Sequence, residues 1–501
     1  DFQINFLKLR RTMSDNSTTD IKEISPLKSE APIIIYIDLK SPYAYLSITP
    51  TRQMLTQLGL IADWRPFVLD IPSYLGSAKL DRGGKKVTKQ NRTEEQWSGV
   101  KYAYFDCRRY ANLSNKTIRG TVKIWNTDLP AIGMLWLKSF ADLAEQCSQG
   151  SLLERYIDAT YESFWKRELD AEDLSIILRV LEQIDAPTDG FLEYAQGEGA
   201  ALNARLQQSA FDAGIFGVPT FILPNESAVD PQHEKFFGRE NLPRISWQLS
   251  GRQGPAPDVA YHLTTEVDDT ALAKCALEPR SAPELMIIPR QLTTFFDFKS
   301  PQSYLALQAI LQLKGERISV YWRPFVSKPL KVPADEVAYE DRSTKHRRIR
   351  GEYNANDIQR YAPHVLTDIY RETDCQFADM GLLWLQLEQR ASSDAIDDYV
   401  QRVFVHLWRD NGTIDSAQDI EPLLLAINGL QANFDKAGQD LALIDGWQKY
   451  SRSRGLEHLD AARAAAQSQS ISMAPTFVLG SEPFQGRAQL PLITARIKAG
   501  I

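Results

Sequence analysis

The hydrophobic pattern lays out one plan and then repeats it. Near the start, PIIIYIDL (Pro32 to Leu39) is a short, β-branched apolar run, the length and composition of a buried strand. Ser41-Pro42 follows, and proline suits a first helical turn because its missing N–H leaves no bond unmade there. YAYLSITPTRQMLTQLG then carries apolar residues at helical spacing and stops at Gly59, a plausible cap. IADWRPFVL predicts a second strand. From about Thr93 to Gln196 helical periodicity takes over, with Leu152, Tyr156, Ala159, Tyr161, Phe164 and Trp165 offering an apolar face. GVPTFIL returns to strand, FFGRENL (Phe236 to Leu242) reads as a turn, and a terminal helix closes the unit.

The same landmarks recur downstream. Ser41 and Ser300 lie 259 residues apart, and WRPF at Trp64 and at Trp322 lie 258 apart. RRYA (Arg108 to Ala111) is matched by QRYA (Gln359 to Ala362), and GMLWL from Gly133 by GLLWL from Gly381. VPTFIL from Val218 is matched by APTFVL from Ala474, and FFGRENL by FQGRAQL from Phe484. Landmarks kept in one order, with offsets between 248 and 259, indicate a duplicated unit. The expected organisation is a polar tail over 1–30, a first α/β unit over 31–250, a linker over 251–290 and a second unit over 291–501. The linker is rich in Pro, Ala and acids without a clear period, so it reads as an ordered or wrapping segment.

Composition narrows the function. With 43% hydrophobic and 24% charged residues among 501, the chain has the make-up of a soluble globular protein. A net charge of −7 argues against a general nucleic-acid binder. No apolar run reaches the roughly 18–20 residues of a membrane span, and the N-terminal stretch lacks a signal-peptide core. A cytoplasmic setting is the expectation, with Met13 a candidate start. The basic run Lys345 to Arg348 is expected to be a solvated helix face. Cys107, Cys147, Cys275 and Cys375 form no Cys-x-x-Cys pair and show no metal-ligand spacing with the histidines, so no metal site is expected. Each cysteine reads as a small buried hydrophobe.

Two positions invite chemistry. Ser41 stands at a strand-to-helix junction, where free backbone N–H groups and the helix dipole favour an anion; serine is equally at home there as a plain N-cap. Its recurrence at Ser300 does not separate the two readings. Pro219, entering a strand behind Gly217-Val218, is either an edge or turn device or a cis proline that exposes the preceding backbone to an extended peptide.

DLKSPYAYL, WRPF, AGIFGVPTF and FFGRENL together resemble the DsbA-like thioredoxin superfamily, and within it kappa-class glutathione transferases and 2-hydroxychromene-2-carboxylate isomerases. The resemblance covers Ile33 to Ile497 as tandem copies. It implies an α/β fold of two tandem thioredoxin-like domains, each with a helical insertion. It implies that Ser41 replaces the redox cysteine and hydrogen-bonds the sulfur of glutathione. Pro219 would be cis, and Val218 would pair its backbone with the cysteinyl unit. An acid after FxG would meet the γ-glutamyl amine; Glu240 stands there, followed by Asn241 where an arginine is usual, with Arg239 a possible substitute. A serine hydroxyl supplies a donor without being oxidisable, which favours thiolate addition over disulfide exchange.

In the second copy Ser300, Ala474 and Pro475 repeat the pattern, but Ala488 replaces Glu240, Met473 replaces Gly217 and Gln302 replaces Tyr43. That copy is expected to be a second site or a structural or regulatory partner, in a fused pseudo-dimer that could associate further. Asp38 and Asp297 could act as bases or as hydrogen-bonded struts. Lys40 and Lys299 flank the anion site, and Arg65 and Arg323 could reach a cleft. Tyr43, Tyr45, Trp64 and Trp136 would line a pocket or pack in the core. The expected activity is a glutathione-dependent isomerase or transferase acting on a small aromatic or electrophilic substrate. The alternatives are a non-catalytic binding or scaffold protein, or a redox partner using Cys107 or Cys375.

Overall fold

The computed structural model describes residues 25–81, 86–146, 148, 150–224, 233–261, 291–316, 318–427, 436–469 and 471–499. Cys147, Cys275, residues 1–24 (with Met13) of the tail and residues 262–290 of the linker lie outside the described residues. Strand β1 (Ile34–Ile37) is buried along its whole length, as its β-branched composition requires. It pairs in parallel with β2 (Asp63–Pro66) on one side and antiparallel with β5 (Thr220–Pro224) on the other. β6 (His233–Phe237) adds antiparallel to β5 and closes a sheet of order β2-β1-β5-β6. A parallel pair needs a crossover, which the helix Pro42–Leu58 supplies. Gly59 ends that helix at φ 65°, its N–H returning to Leu55 and Thr56 carbonyls, a left-handed cap that glycine takes without strain.

The second half is built the same way. β7 (Gln291–Phe296) pairs in parallel with β8 (Ser319–Pro324) and antiparallel with β9 (Thr476–Leu479), which carries β10 (Glu482–Gln485). In both halves a helical layer is inserted between the second and third strands of the sheet, from Glu94 to Asp212 and from Arg342 to Ser468. The repeated Gly of GMLWL and GLLWL has a common cause: a Cβ on Gly133 would lie 2.1 Å from the Tyr156 hydroxyl, and one on Gly381 would lie 2.2 Å from that of Tyr399. No described helix is long and apolar enough to cross a membrane.

Two features depart from the sequence reading. FFGRENL is not only a turn: Phe236 and Phe237 end strand β6, and a 3₁₀ turn over Arg239–Asn241 follows. This edge strand is half polar, HEKFF, so its pattern lacks the apolar run that marks β1. A hairpin of β3 (Ala78–Leu80) and β4 (Val87–Gln90) is also present in the first half, with Leu80 N–H donating to the Val122 carbonyl.

The halves meet through a reciprocal junction. Helix Glu94–Leu113 of the first half docks on β10 and the turn after it; helix Arg342–Tyr361 of the second docks on β6 and its turn. Arg109 Nε donates to Glu482 at 2.7 Å, and Arg360 Nε to Glu234 at 2.8 Å. Arg109 and Arg360 also donate to the carbonyls of Pro483 and Lys235. The Tyr110 hydroxyl donates to Gln489 at 2.6 Å, and that of Tyr361 to Asn241 at 2.7 Å. Gln485 N–H donates to the Tyr102 hydroxyl, as Phe237 N–H does to that of Tyr353. The RRYA and QRYA repeats are thus the two sides of an isologous contact.

Segments assigned to tail and linker also take part. Residues 25–30 are bound to the sheet: Arg65 donates to the carbonyls of Ser25 and Lys28, and the Tyr36 hydroxyl to that of Pro26. In the linker, Ala260 N–H donates to Glu240 and Tyr261 N–H to Ala488, two equivalent turn positions joined by adjacent residues. The basic run is not a solvated face. His346 and Arg348 are buried, Lys345 pairs with Asp212 of the first half, and Arg348 is held by Glu340 and Glu352. Charge patterning alone shows a polar helix; it does not show what the helix docks against.

Candidate functional site

β1 delivers Asp38, Lys40 and Ser41 to one end of its sheet. Asp38 is a strut: it accepts from Thr127 Oγ1 at 2.6 Å, Leu69 N–H at 2.8 Å and Lys40 N–H at 3.3 Å, tying three segments together. Ser41 takes the N-cap role and also faces the Val218 carbonyl. Its Oγ accepts the Ala44 N–H at 3.2 Å, capping helix Pro42–Leu58, and donates to the Val218 carbonyl at 3.3 Å. The Val218–Pro219 peptide is cis, and the Pro219 carbonyl is taken by Gly238 N–H.

Over Ser41 and Val218 opens a cleft of about 660 Å³. Lys40, Tyr43, Gly217 and Phe237 also line it. Gly217 is required there, since a Cβ would meet the Phe237 ring at 2.5 Å. The opposite wall comes from helix Glu94–Leu113, where Trp97, Lys101, Tyr104, Phe105 and Arg108 share one face. Among the described residues, every charged side chain lining the cleft is lysine or arginine. Lys40 is held by Asp38 at 3.6 Å and by the Trp125 carbonyl, and Lys123 pairs with Glu172. Burial holds the Tyr43 hydroxyl well above the usual tyrosine range, so it stays protonated, directed at Asp106 3.5 Å away. Burial likewise pushes the Cys107 thiol up, away from the thiolate form.

Arg239 and Glu240 are not brought into this lining. The Arg239 guanidinium lies buried, 4.2 Å from the Tyr110 ring centre and 4.6 Å from that of Tyr261, donating to the Tyr261 carbonyl. Burial pushes the Glu240 carboxyl up to about 7; Asp357 acts in the same direction, and Arg239 and Arg487 oppose it. Both residues belong to the junction between the halves. Arg65 is bound to Asp63 and the N-terminal segment, and Trp64 is core. Tyr45 stacks on Tyr161, and Trp136 packs among Phe140, Phe191 and Tyr194. Of the four aromatics proposed for the pocket, Tyr43 lines it.

The second half keeps the scaffold and changes the surroundings. Ser300 Oγ caps its helix by accepting Ser303 N–H at 3.3 Å, and Ala474–Pro475 is also cis. Gln302, in the place of Tyr43, accepts from Arg487 Nη1 at 2.6 Å. Met473 stands for Gly217 and Gln485 for Phe237. Asp297 accepts the N–H groups of Ser327 and Lys299, and burial raises its pKa. Lys299 is partly buried beside it, and Arg323 lies over the Tyr321 ring. Cys375 occupies the place of Thr127, its thiol pushed up by burial.

Several cleft residues were missed in the sequence: Arg92, Trp97, Tyr104 and Arg108 of the first half, and His346 and Arg350 of the second. The available signal was the interleaving of aromatics and cations at positions 97, 101, 104, 105 and 108, one helical face.

Glutathione can be tested against these groups. Ser41 and the helix N-terminus suit a thiol, and the cationic lining suits carboxylates, whereas the described lining residues offer its ammonium no carboxylate.

The family model for the DSBA-like thioredoxin domain matches residues 291–498. No curated protein matches the chain. Among solved structures, the chain is similar to a 2-hydroxychromene-2-carboxylate isomerase at 21% identity, covering 42% of this chain and 94% of that one, with a TM-score of 0.29. It is similar to a probable DsbA oxidoreductase from Streptomyces coelicolor at 14% identity, covering 46% and 93%, with a TM-score of 0.31. A third is DsbA from Chlamydia trachomatis, at 11% identity, covering 44% and 97%, with a TM-score of 0.28. Residues 291–498 match the DSBA-like thioredoxin domain, and the sheet of the first half has the same strand order as the sheet within that match.

Proposed function

We propose that the first cleft carries out a glutathione-dependent isomerase or transferase reaction on a small aromatic or electrophilic substrate. The observation that carries this reading is the Ser41 hydroxyl, held at a helix N-terminus 3.3 Å from the Val218 carbonyl, in the wall of the cleft. Its volume falls within the roughly 300–1,000 Å³ common for small-molecule sites. The hydroxyl that now donates to Val218 would turn to a bound sulfur. With the helix N-terminus it would favour thiolate over thiol, whose ordinary pKa is about 8.5. Each unit of lowering corresponds to about 1.4 kcal/mol of preference for the anion. The aromatic walls would orient the acceptor and exclude water.

Calorimetry with millimolar glutathione on the full chain tests this, together with ultraviolet absorbance of the thiolate. Binding is expected, with thiolate signal lost in Ser41→Ala and kept in Ser300→Ala. Absence of binding to the unsubstituted chain would sink the reading. A glutathione-supplied compartment such as the cytoplasm is the setting it requires. The reciprocal junction supports treating the two halves as a fused pseudo-dimer.

A second reading, a binding or scaffold role, is favoured for the second half by the different surroundings of Ser300. A redox role through Cys107 or Cys375 is disfavoured, because both are buried with thiols pushed up.

A further inference from the structure

The first cleft is not made by the first half alone. Helix Arg342–Tyr361 of the second half runs along its edge, and His346 and Arg350, one turn apart, both line it. The helix is fixed there by several contacts. The His346 ring lies 4.2 Å from that of Tyr74 and within 5° of parallel, and its Nε2 is 3.1 Å from the Phe216 carbonyl. Arg342 pairs with Asp70 at 3.2 Å. Phe216 stands two residues before Val218, so the second half also braces the segment that Ser41 contacts.

Arg350 is exposed at the rim and makes no ion pair among the described residues. Arg92 and Lys101 flank the Trp97 ring at 5.2 and 5.9 Å, Arg92 Nε donates to the Leu75 carbonyl, and neither cation pairs with a carboxylate among the described residues. A row of surface cations is commonly no more than a solubilising face. Here acids outnumber Lys and Arg by 64 to 57 over the chain, yet none lines the cleft among the described residues, so the lining is not an average sample of this surface.

We propose that Arg350 is a specificity-determining residue of the first cleft, supplied by the second half, and that with Arg92 it selects aromatic ligands carrying an anionic group. The inference rests on the reading of this cleft as the ligand site and concerns the acceptor rather than glutathione. An arginine fork matches a planar carboxylate or a sulfonate, while the neighbouring rings supply the stacking surface. Unpaired cations beside a low-dielectric wall raise the local concentration of anions.

Fluorescence titration of the full chain with anilinonaphthalene sulfonate, and with its uncharged relative N-phenylnaphthylamine, tests the assignment. The anionic probe should bind about five- to tenfold more weakly to Arg350→Ala and to Arg92→Ala, the scale of a lost charge-assisted contact at a partly wet site. Arg350→Lys should retain most of the affinity. The neutral probe should bind all variants alike, and unchanged melting temperatures would show that the fold is intact. If Arg350→Ala and Arg92→Ala both bind the anionic probe as tightly as the parent, or if both probes weaken together, the proposal is overturned. If only Arg92→Ala weakens, the cleft remains a ligand site and the role of Arg350 falls. If the parent binds neither probe, the cleft fails as an aromatic ligand site.

Discussion

Ser41 and Ser300 occupy the same place in the two halves. Each follows a buried strand, caps a helix that begins with proline, and belongs to a half whose third strand is entered by a cis proline. Around Ser41 stand Gly217, Phe237 and Tyr43, and the hydroxyl reaches the Val218 carbonyl. Around Ser300 the corresponding residues are Met473, Gln485 and Gln302, and the last is occupied by Arg487. The cap is a local device, indifferent to what lies a few ångströms away, and so it persists. The cleft depends on several side chains fitting together, and substitutions at three positions change it.

The junction offers the largest test of inequality. Arg109 is fully buried with its partners Asp106 and Glu482, whereas the Arg360 side chain is 14% exposed with Asp357 and Glu234. Arg109→Ala leaves the buried Asp106 without its arginine and Glu482 with Arg496 alone, and should cost about 3–5 kcal/mol. Arg360→Ala leaves partners that can recruit water and should cost less, about 1–2 kcal/mol. Urea unfolding of the full chain measures both, and equal losses would break the comparison.

Next in size is an exchange of wall residues between the halves. Gly217→Met places a Cβ against the Phe237 ring, 2.5 Å away, and should destabilise by about 1–3 kcal/mol through overpacking. Adding Phe237→Gln, the residue present in the second half, should recover part of that loss. A double mutant no more stable than Gly217→Met would show that the two positions are not coupled.

The smallest effect is a pH dependence confined to one side of the junction. His346 faces Tyr74, Phe216, Arg342, Arg350 and Asp70. Burial, with Arg350 and Arg342 adding to it, lowers its pKa to about 4, against the upward pull of the Phe216 carbonyl and Asp70. The unfolded chain, at about 6.5, binds the proton more readily than the folded one. Stability from the neutral ring is therefore present above pH 6.5 and is lost as pH falls towards 4, by about 1–2 kcal/mol after allowance for screening. Unfolding measured between pH 7 and pH 4 should show this slope, reduced in His346→Gln; an identical slope in the variant would remove His346 as its source.

The repeat, the first strand, the crossover helix and the serine cap were legible because each rests on nearest-neighbour chemistry: β-branched runs, Ser-Pro, a closing glycine. The reciprocal arginines were legible as repeated letters but not as contacts, because their partners lie more than a hundred residues away. The half-polar strand β6 was hidden for a different reason, since its outer face meets the other half and so need not alternate cleanly. Glu240 was assigned to a ligand by its place in a motif; the folded chain instead sets it beside Asp357 and Arg487, which no local reading could supply.

Adjacent residues Ala260 and Tyr261, bonded to Glu240 and Ala488, make the halves permanent neighbours. In a symmetric pair of separate identical chains, every substitution appears twice, and a change that improves one side burdens the other. A covalent pair escapes that constraint, because one gene now encodes two independently mutable faces. The junction could stay reciprocal while the pockets diverged, letting one half specialise as part of the other's architecture.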